Sequence, residues 1–204
     1  MTRTLDPYKY LQRLTGLGIR MDLGAVRGAF AALGNPAGSY PSVLVGGTNG
    51  KGSTVAFIEA IARAHGWKVG AYTSPHLLRY NERVRIDGVD AEDEALVAGF
   101  AAVEAARGDT LLTYFEYGTL CALWLFARAS LDLVVLEVGL GGRLDAVNIV
   151  DADVAVITTV AITATSASTM FTASSRPPRP TSSTTRPSDA RANSHSAHRV
   201  PHSR

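Results

Sequence analysis

The segment Gly46-Gly-Thr-Asn-Gly-Lys-Gly-Ser53 gathers residue types that suit phosphate binding. Its glycines let backbone N–H groups turn inward and cup phosphate oxygens. Lys51 supplies a cation long enough to reach terminal phosphates, and Ser53 or Thr54 offers a hydroxyl to a phosphate oxygen or to Mg²⁺. Gly47, Thr48, Asn49, Gly50 and Gly52 complete the candidate cradle. The spelling departs from the common G-x-x-x-x-G-K-[ST] pattern. Gly52 separates Lys51 from Ser53, and the spacing before Gly50 is one residue short. An ordinary glycine turn is the competing reading, and the lysine and hydroxyls argue against it. A nucleoside triphosphate brings Mg²⁺, which takes oxygen ligands in an octahedron. Ser74 and Glu137 are the candidate ligands. A lone acid closing an apolar strand is costly unless paired or metal-bound. An ion pair with a nearby Arg is the alternative for Glu137, and a plain turn before Pro75 is the alternative for Ser74.

These groups need elements to hold them. Residues 42–45 read as a strand before the loop. Residues 53–65 read as a helix after it, with Val55, Ile58, Ile61 and Ala62 facing inward, and 68–72 as the next strand. Upstream, helices are predicted at 6–15 and 22–33, with Asp22 able to cap the second, followed by a Gly/Pro-rich turn at 35–41. Downstream come a loop at 73–79 and an extended piece at 83–86 before a turn at Asp87-Gly88. An Ala-rich helix follows at 91–107, its first turn acidic as the helix field prefers. Residues 113–129 form an apolar helix with Phe115, Leu120, Leu123, Trp124 and Phe126 available for packing and Cys121 as plain core. Residues 132–138 and 153–160 read as buried strands. Buried strands separated by helices imply an α/β fold with a parallel sheet covered on both faces. Ligands of such folds collect at the carboxyl ends of the strands. The glycine loop, the Ser74-Pro-His-Leu77 loop and Glu137 all fall there.

The 204-residue chain joins two unlike compositions. Residues 1–160 carry 14 Lys+Arg against 17 Asp+Glu, whereas residues 161–204 carry six Arg against one Asp. The overall charge of +2 therefore describes neither part. The last 44 residues hold ten Ser, seven Thr and five Pro and no Leu or Gly. Such a segment has too few apolar groups to offset the ordering of its backbone, about 1–2 kcal/mol per residue. A disordered tail is expected, of a composition that a shifted reading frame produces. With no Lys and only Phe171 as an aromatic, its charge reads as non-specific, and no nucleic-acid partner is expected. One Cys excludes a disulfide scaffold. No signal peptide and no spanning apolar run is visible, so a cytoplasmic protein without a membrane partner is expected.

Four blocks occur in order: GGTNGKGST, YTSPHLLRYNERVRIDG, LTYFEYGT and LEVGLGGRLDAVNIVDADVAVIT. Together they resemble bacterial dihydrofolate synthase/folylpolyglutamate synthase, within the wider group of ATP-dependent Mur-type ligases. The resemblance covers roughly residues 5–160. It implies the P-loop ATPase domain of Mur-ligase type, incomplete here and followed by a disordered tail. It also implies an ATP-dependent ligase that adds L-glutamate to dihydropteroate and to the glutamate chain of folates through an acyl phosphate. Lys51 and the loop amides then hold the β- and γ-phosphates, and Ser74 and Glu137 hold Mg²⁺. Pro75, His76, Thr113, Phe115 and Asp145 line the pteroate side, and Arg83 steers anionic substrate. ATP, L-glutamate and dihydropteroate or folate are the implied small-molecule partners, and the implied state is a monomer. A polyglutamylating enzyme without the synthase activity and a non-catalytic nucleotide-binding module are the alternatives. A solvated charge pair is the plain reading of Arg83 and Arg85.

The chain departs from the family pattern after residue 160. Where the family carries an Asp-His pair completing a second Mg²⁺ site, this chain reads Ile162-Thr-Ala-Thr165. The family's later lysine block has no counterpart, because no Lys follows Lys68. The expectation is therefore a ligase fragment without turnover, with an exposed apolar sheet edge.

Overall fold

In the computed structural model, residues 6–14, 18 and 22–161 are described. The expectation of a disordered tail falls on residues 162–204, which lie outside them. Two helices, α1 (Pro7–Leu14) and α2 (Gly24–Ala32), precede strand β1 (Ser42–Gly46). Helix α3 (Lys51–Ala64) leads to β2 (Val69–Tyr72), and an antiparallel hairpin, β3 (Val84–Ile86) and β4 (Val89–Asp90), follows. Helices α4 (Asp93–Arg107) and α5 (Tyr114–Arg128) precede β5 (Leu133–Glu137), and β6 (Val154–Ile157) comes last. The strand order is β4-β3-β2-β5-β1-β6.

The sheet is mixed, not wholly parallel as the sequence implies. Strands β2, β5, β1 and β6 are parallel, while β3 pairs antiparallel with β2. The short Asp87-Gly88 turn explains this. Both residues have positive φ, 52° and 77°, the conformation of a tight hairpin. A parallel return would need a crossover of a dozen or more residues.

Period-two alternation divides the central strands between two apolar clusters. Val43, Val45, Val69, Ala71, Leu133 and Val135 pack against Val55 and Ala62 of α3. Leu44, Tyr72, Val134 and Leu136 turn to the opposite face, against Leu120, Leu123 and Phe126 of α5. This two-sided burial is why β1 and β5 read as unbroken apolar runs. Strand β6 does not share it. Val154 is 51% exposed and Ile157 55%, so the expected burial of 153–160 is corrected. β6 pairs with β1 on one side only, and nothing among the described residues packs across its outer edge. Ile61, assigned inward from its spacing, is likewise exposed. The inward position on α3 is taken instead by Glu59.

Helix α5 begins at a reciprocal cap. The Thr113 hydroxyl accepts from the Glu116 N–H at 3.3 Å, and the Glu116 carboxylate accepts from the Thr113 N–H at 2.6 Å. Thr113→Ala should cost about 1 kcal/mol. Urea unfolding checks this, and an unchanged midpoint would show that the cap contributes nothing to stability. No helix among the described residues is long and apolar enough to cross a membrane.

Candidate functional site

The carboxyl ends of β1, β2, β5 and β6 lie on one edge of the sheet because these strands run parallel. The glycine loop leaves β1 there, the Ser74 loop leaves β2, and Glu137 ends β5. The crossing order brings the three together, with β5 between β1 and β2.

The loop turns through Gly47 and Gly50, whose φ values of 140° and 83° exclude most side chains. Helix α3 begins at Lys51, two residues earlier than its pattern predicts. Its first turn closes with the Thr54 N–H donating to the Gly50 carbonyl at 3.0 Å. The amides of Lys51, Gly52 and Ser53 therefore precede the first intrahelical bond and face the helix N-terminus, where an anion is favoured. The Thr48 N–H donates instead to the Thr159 carbonyl at 2.8 Å, and the Asn49 N–H points to the same oxygen at 3.5 Å. The Thr48 hydroxyl faces Ala161, accepting from its N–H at 3.0 Å. The Thr54 hydroxyl donates to the Gly50 carbonyl at 2.9 Å, leaving Ser53 as the better placed hydroxyl. The Lys51 ammonium donates to the carbonyls of Gly47 at 2.9 Å and Thr48 at 3.3 Å, so it lies across its own loop.

Glu137 is buried, and its carboxylate accepts from the Ser74 N–H at 3.0 Å. Both carboxylate oxygens lie 3.9 Å from where a Cβ on Gly52 would stand, directly beneath the start of α3. Burial raises the Glu137 carboxyl above its usual range, while the Ser74 N–H, Lys51, Arg85 and Arg83 draw it down. The Ser74 hydroxyl lies 3.1 Å from where a Cβ on Gly139 would stand, two residues beyond Glu137. A hydroxyl and a buried carboxylate at a phosphate-type loop form an all-oxygen donor set, which fits Mg²⁺. No group of three His, Cys, Asp or Glu side chains that could hold a metal ion on their own is found among the described residues. The remaining positions would then fall to phosphate oxygens and water, as Mg²⁺ usually arranges.

Of the residues assigned to a second ligand, Phe115 lies beside this point. The Phe115 ring lies against Gly139 and packs on Tyr72 at 5.9 Å between centroids. Asp145 holds its loop closed, accepting from the N–H groups of Leu140 at 2.7 Å and Val147 at 3.0 Å. Thr113 is engaged in the α5 cap. Pro75 follows Ser74 through a cis peptide bond. His76 Nδ1 accepts from Arg83 Nε at 2.8 Å. Arg83 is 8% exposed, its guanidinium 5.6 Å from the Tyr80 ring centre and 5.5 Å from that of Tyr114. The plain reading of Arg83 and Arg85 as a solvated pair is thus wrong. Arg83 is enclosed by aromatic rings, and Arg85 pairs with Glu59 at 2.7 Å. Glu82 accepts the N–H groups of Leu77, Leu78 and Arg79 at 2.7–2.8 Å and folds the Ser74 loop over them. Sequence reasoning passed over Glu59, Glu82, Tyr80 and Tyr114. Glu59 left one trace, an acid on a helix face otherwise apolar.

Burial pushes the Asp145 carboxyl up to about 6, against the pull of its backbone N–H partners and Lys51. Its folded value lies above the unfolded one of about 4. Protonated Asp145 therefore stabilises the fold fully below about pH 4, and this contribution is lost as pH rises through about 6. NMR titration of the Asp145 carboxyl carbon should give a midpoint near 6, and Asp145→Asn should flatten the stability curve between these limits. A midpoint near 4 would contradict the assignment.

A glycine loop between a parallel strand and a helix, with a buried acid on the neighbouring strand, defines a P-loop ATPase fold of the Mur-ligase type. No family model matches the chain. It is 57% identical over 156 residues to dihydrofolate synthase/folylpolyglutamate synthase of Escherichia coli K12, covering 75% of this chain and 36% of that protein. The solved structure of E. coli FolC in complex with DHPP and ADP superposes with a TM-score of 0.72 and 55% identity, covering 77% of this chain and 38% of that one. A bifunctional folylpolyglutamate synthase/dihydrofolate synthase with Mn, AMPPNP and L-glutamate bound superposes with a TM-score of 0.74 and 50% identity, covering 78% and 39%. Over this matched part the chain is homologous to the dihydrofolate synthase/folylpolyglutamate synthase family. It spans little more than a third of the length of these relatives.

Proposed function

We propose that residues 1–160 form the nucleotide-binding part of a cytoplasmic, monomeric ATP-dependent ligase, with 161–204 as a separate Ser/Thr/Pro/Arg-rich segment. The ligase joins L-glutamate to dihydropteroate and to the glutamate chain of folates. The carrying observation is the position of Lys51 at the start of α3, Ser74 after β2 and Glu137 at the end of β5 on one sheet edge, with Glu137 beneath Gly52. Nucleotide complexes of the similar proteins support it, one with ADP and DHPP, another with AMPPNP, Mn and L-glutamate.

In this reading the N–H groups of Gly50, Lys51, Gly52 and Ser53 and the Lys51 ammonium hold the β- and γ-phosphates. The Ser74 hydroxyl and the Glu137 carboxylate hold Mg²⁺, which when bound neutralises phosphate charge. Phe115 stacks on a pterin ring, Asp145 accepts from its N–H groups, and Pro75, His76 and Thr113 shape the opening. Arg83, fixed between Tyr80 and Tyr114, faces the anionic end of the substrate. The folate-side carboxylate takes the γ-phosphoryl group of ATP, and the glutamate amine then displaces phosphate to form the amide. For such a transfer the protein contributes placement and charge stabilisation.

Calorimetric titration of the 204-residue chain with MgADP and MgATP tests the first half, and phosphate release with dihydropteroate and L-glutamate tests the second. Binding with release supports the ligase. Binding without release supports a truncated ligase or a nucleotide-binding module, and no binding overturns the proposal.

A further inference from the structure

Thr158 stands one residue beyond β6 and reaches back to the glycine loop from the far side. Its hydroxyl lies 2.7 Å from the Asn49 carbonyl and 3.1 Å from the Gly46 carbonyl. It has one proton to donate, and the shorter contact is to Asn49. The Thr158 N–H already serves Gly46 at 2.8 Å, continuing the β-ladder. The approach is close: a Cβ on Gly47 would stand 2.0 Å from the Thr158 hydroxyl oxygen. Gly47 is thus required by its φ of 140° and by the side chain that fills its place.

We propose that Thr158 is a positioning residue for the phosphate loop, acting through the Asn49–Gly50 peptide. In a trans peptide the C=O and the N–H of the next residue point opposite ways. Anchoring the Asn49 carbonyl on Thr158 therefore turns the Gly50 N–H to the other side of the loop, away from β6. That N–H directly precedes the amides at the start of α3, so the hydroxyl sets the first donor of the anion-binding row. The Thr159 carbonyl acts alongside, taking up the Thr48 N–H. The pairing gives a glycine-rich loop reference points beyond a neighbouring strand, over a hundred residues away.

The proposal rests on the nucleotide reading of the loop, and the test separates the two. Thr158→Val keeps the shape and removes the donor, Thr158→Ser keeps the donor, and Thr158→Ala provides a smaller variant should valine prevent folding. MgADP titration under conditions where all variants are folded should show Thr158→Val or Thr158→Ala binding five- to tenfold more weakly, with Thr158→Ser within twofold of the unsubstituted chain. Hydrogen exchange without nucleotide should be at least tenfold faster at Thr48, whose N–H is held by the Thr159 carbonyl, in the valine or alanine variant, and unchanged in the serine variant. A merely structural role would lower the unfolding temperature and leave the affinity of folded protein unchanged; that result overturns the proposal. Should the unsubstituted chain fail to bind MgADP, the nucleotide reading falls, and loop exchange alone decides. Unchanged exchange in Thr158→Val or Thr158→Ala then overturns the assignment, and faster exchange restored by serine sustains it.

Discussion

Replacing Lys51 with alanine should weaken MgADP binding by more than a hundredfold, measured by calorimetry on folded protein. The ammonium sits over the loop, 2.9 Å from the Gly47 carbonyl and 3.3 Å from that of Thr48, at the mouth of the α3 N-terminus. It can turn from these carbonyls to phosphate oxygens without moving the backbone. A charge-assisted hydrogen bond contributes roughly 1.5–3 kcal/mol, and loss of the cation's field on more than one phosphate charge carries the effect beyond about 2.7 kcal/mol. Lys51→Arg should not restore binding, because a broad planar guanidinium does not reproduce the contacts of a compact ammonium. An alanine variant binding within tenfold of the unsubstituted chain would remove Lys51 from the phosphate contacts.

The second large effect is on stability. Arg85→Met should destabilise the fold by about 3 kcal/mol in urea unfolding, and Glu59→Leu combined with Arg85→Met should recover most of that loss. The Arg85 guanidinium meets the Glu59 carboxylate through Nη2 at 2.7 Å and Nε at 3.1 Å. The Glu59 side chain is 8% exposed and that of Arg85 22%. Removing the arginine strands a carboxylate in a desolvated position, which costs far more than the intact pair gains. Replacing both residues by apolar ones removes the penalty along with the pair. The bridge ties α3, which starts at the phosphate loop, to β3, which follows the Ser74 loop. The single variant should therefore also disturb the spacing between Lys51 and Ser74. A double variant no more stable than Arg85→Met would show that the pair is not the source of the effect.

Several features were legible in the chain because they depend on local chemistry. The glycine loop needs a strand before it and a helix after it, and both are patterned in adjacent residues. The alternating burial of β1 and β5 reads as an unbroken apolar run. The run at 153–160 looks the same, yet β6 is exposed, because an apolar sequence carries no record of whether anything packs across its strand. Arg83 and Arg85 read alike as exposed charges two residues apart. One is enclosed by tyrosines from the Ser74 loop and α5, and the other meets an acid on α3. Their partners are set by the return of the chain, which spacing does not encode.

The sequence by itself determined that a phosphate-type loop opens a helix, that a serine loop and an acid-ended strand follow, and that these blocks together resemble one family. Periodicity and motif chemistry suffice for that, since both are short-range. Only the tertiary structure decided that β5 inserts between β1 and β2, bringing Glu137 beneath Gly52 and against Ser74. It likewise decided that Thr158 and Thr159 hold the loop from a neighbouring strand. Strand order and close approach arise from burying both faces of one sheet at once, a condition on the whole chain that no segment states alone.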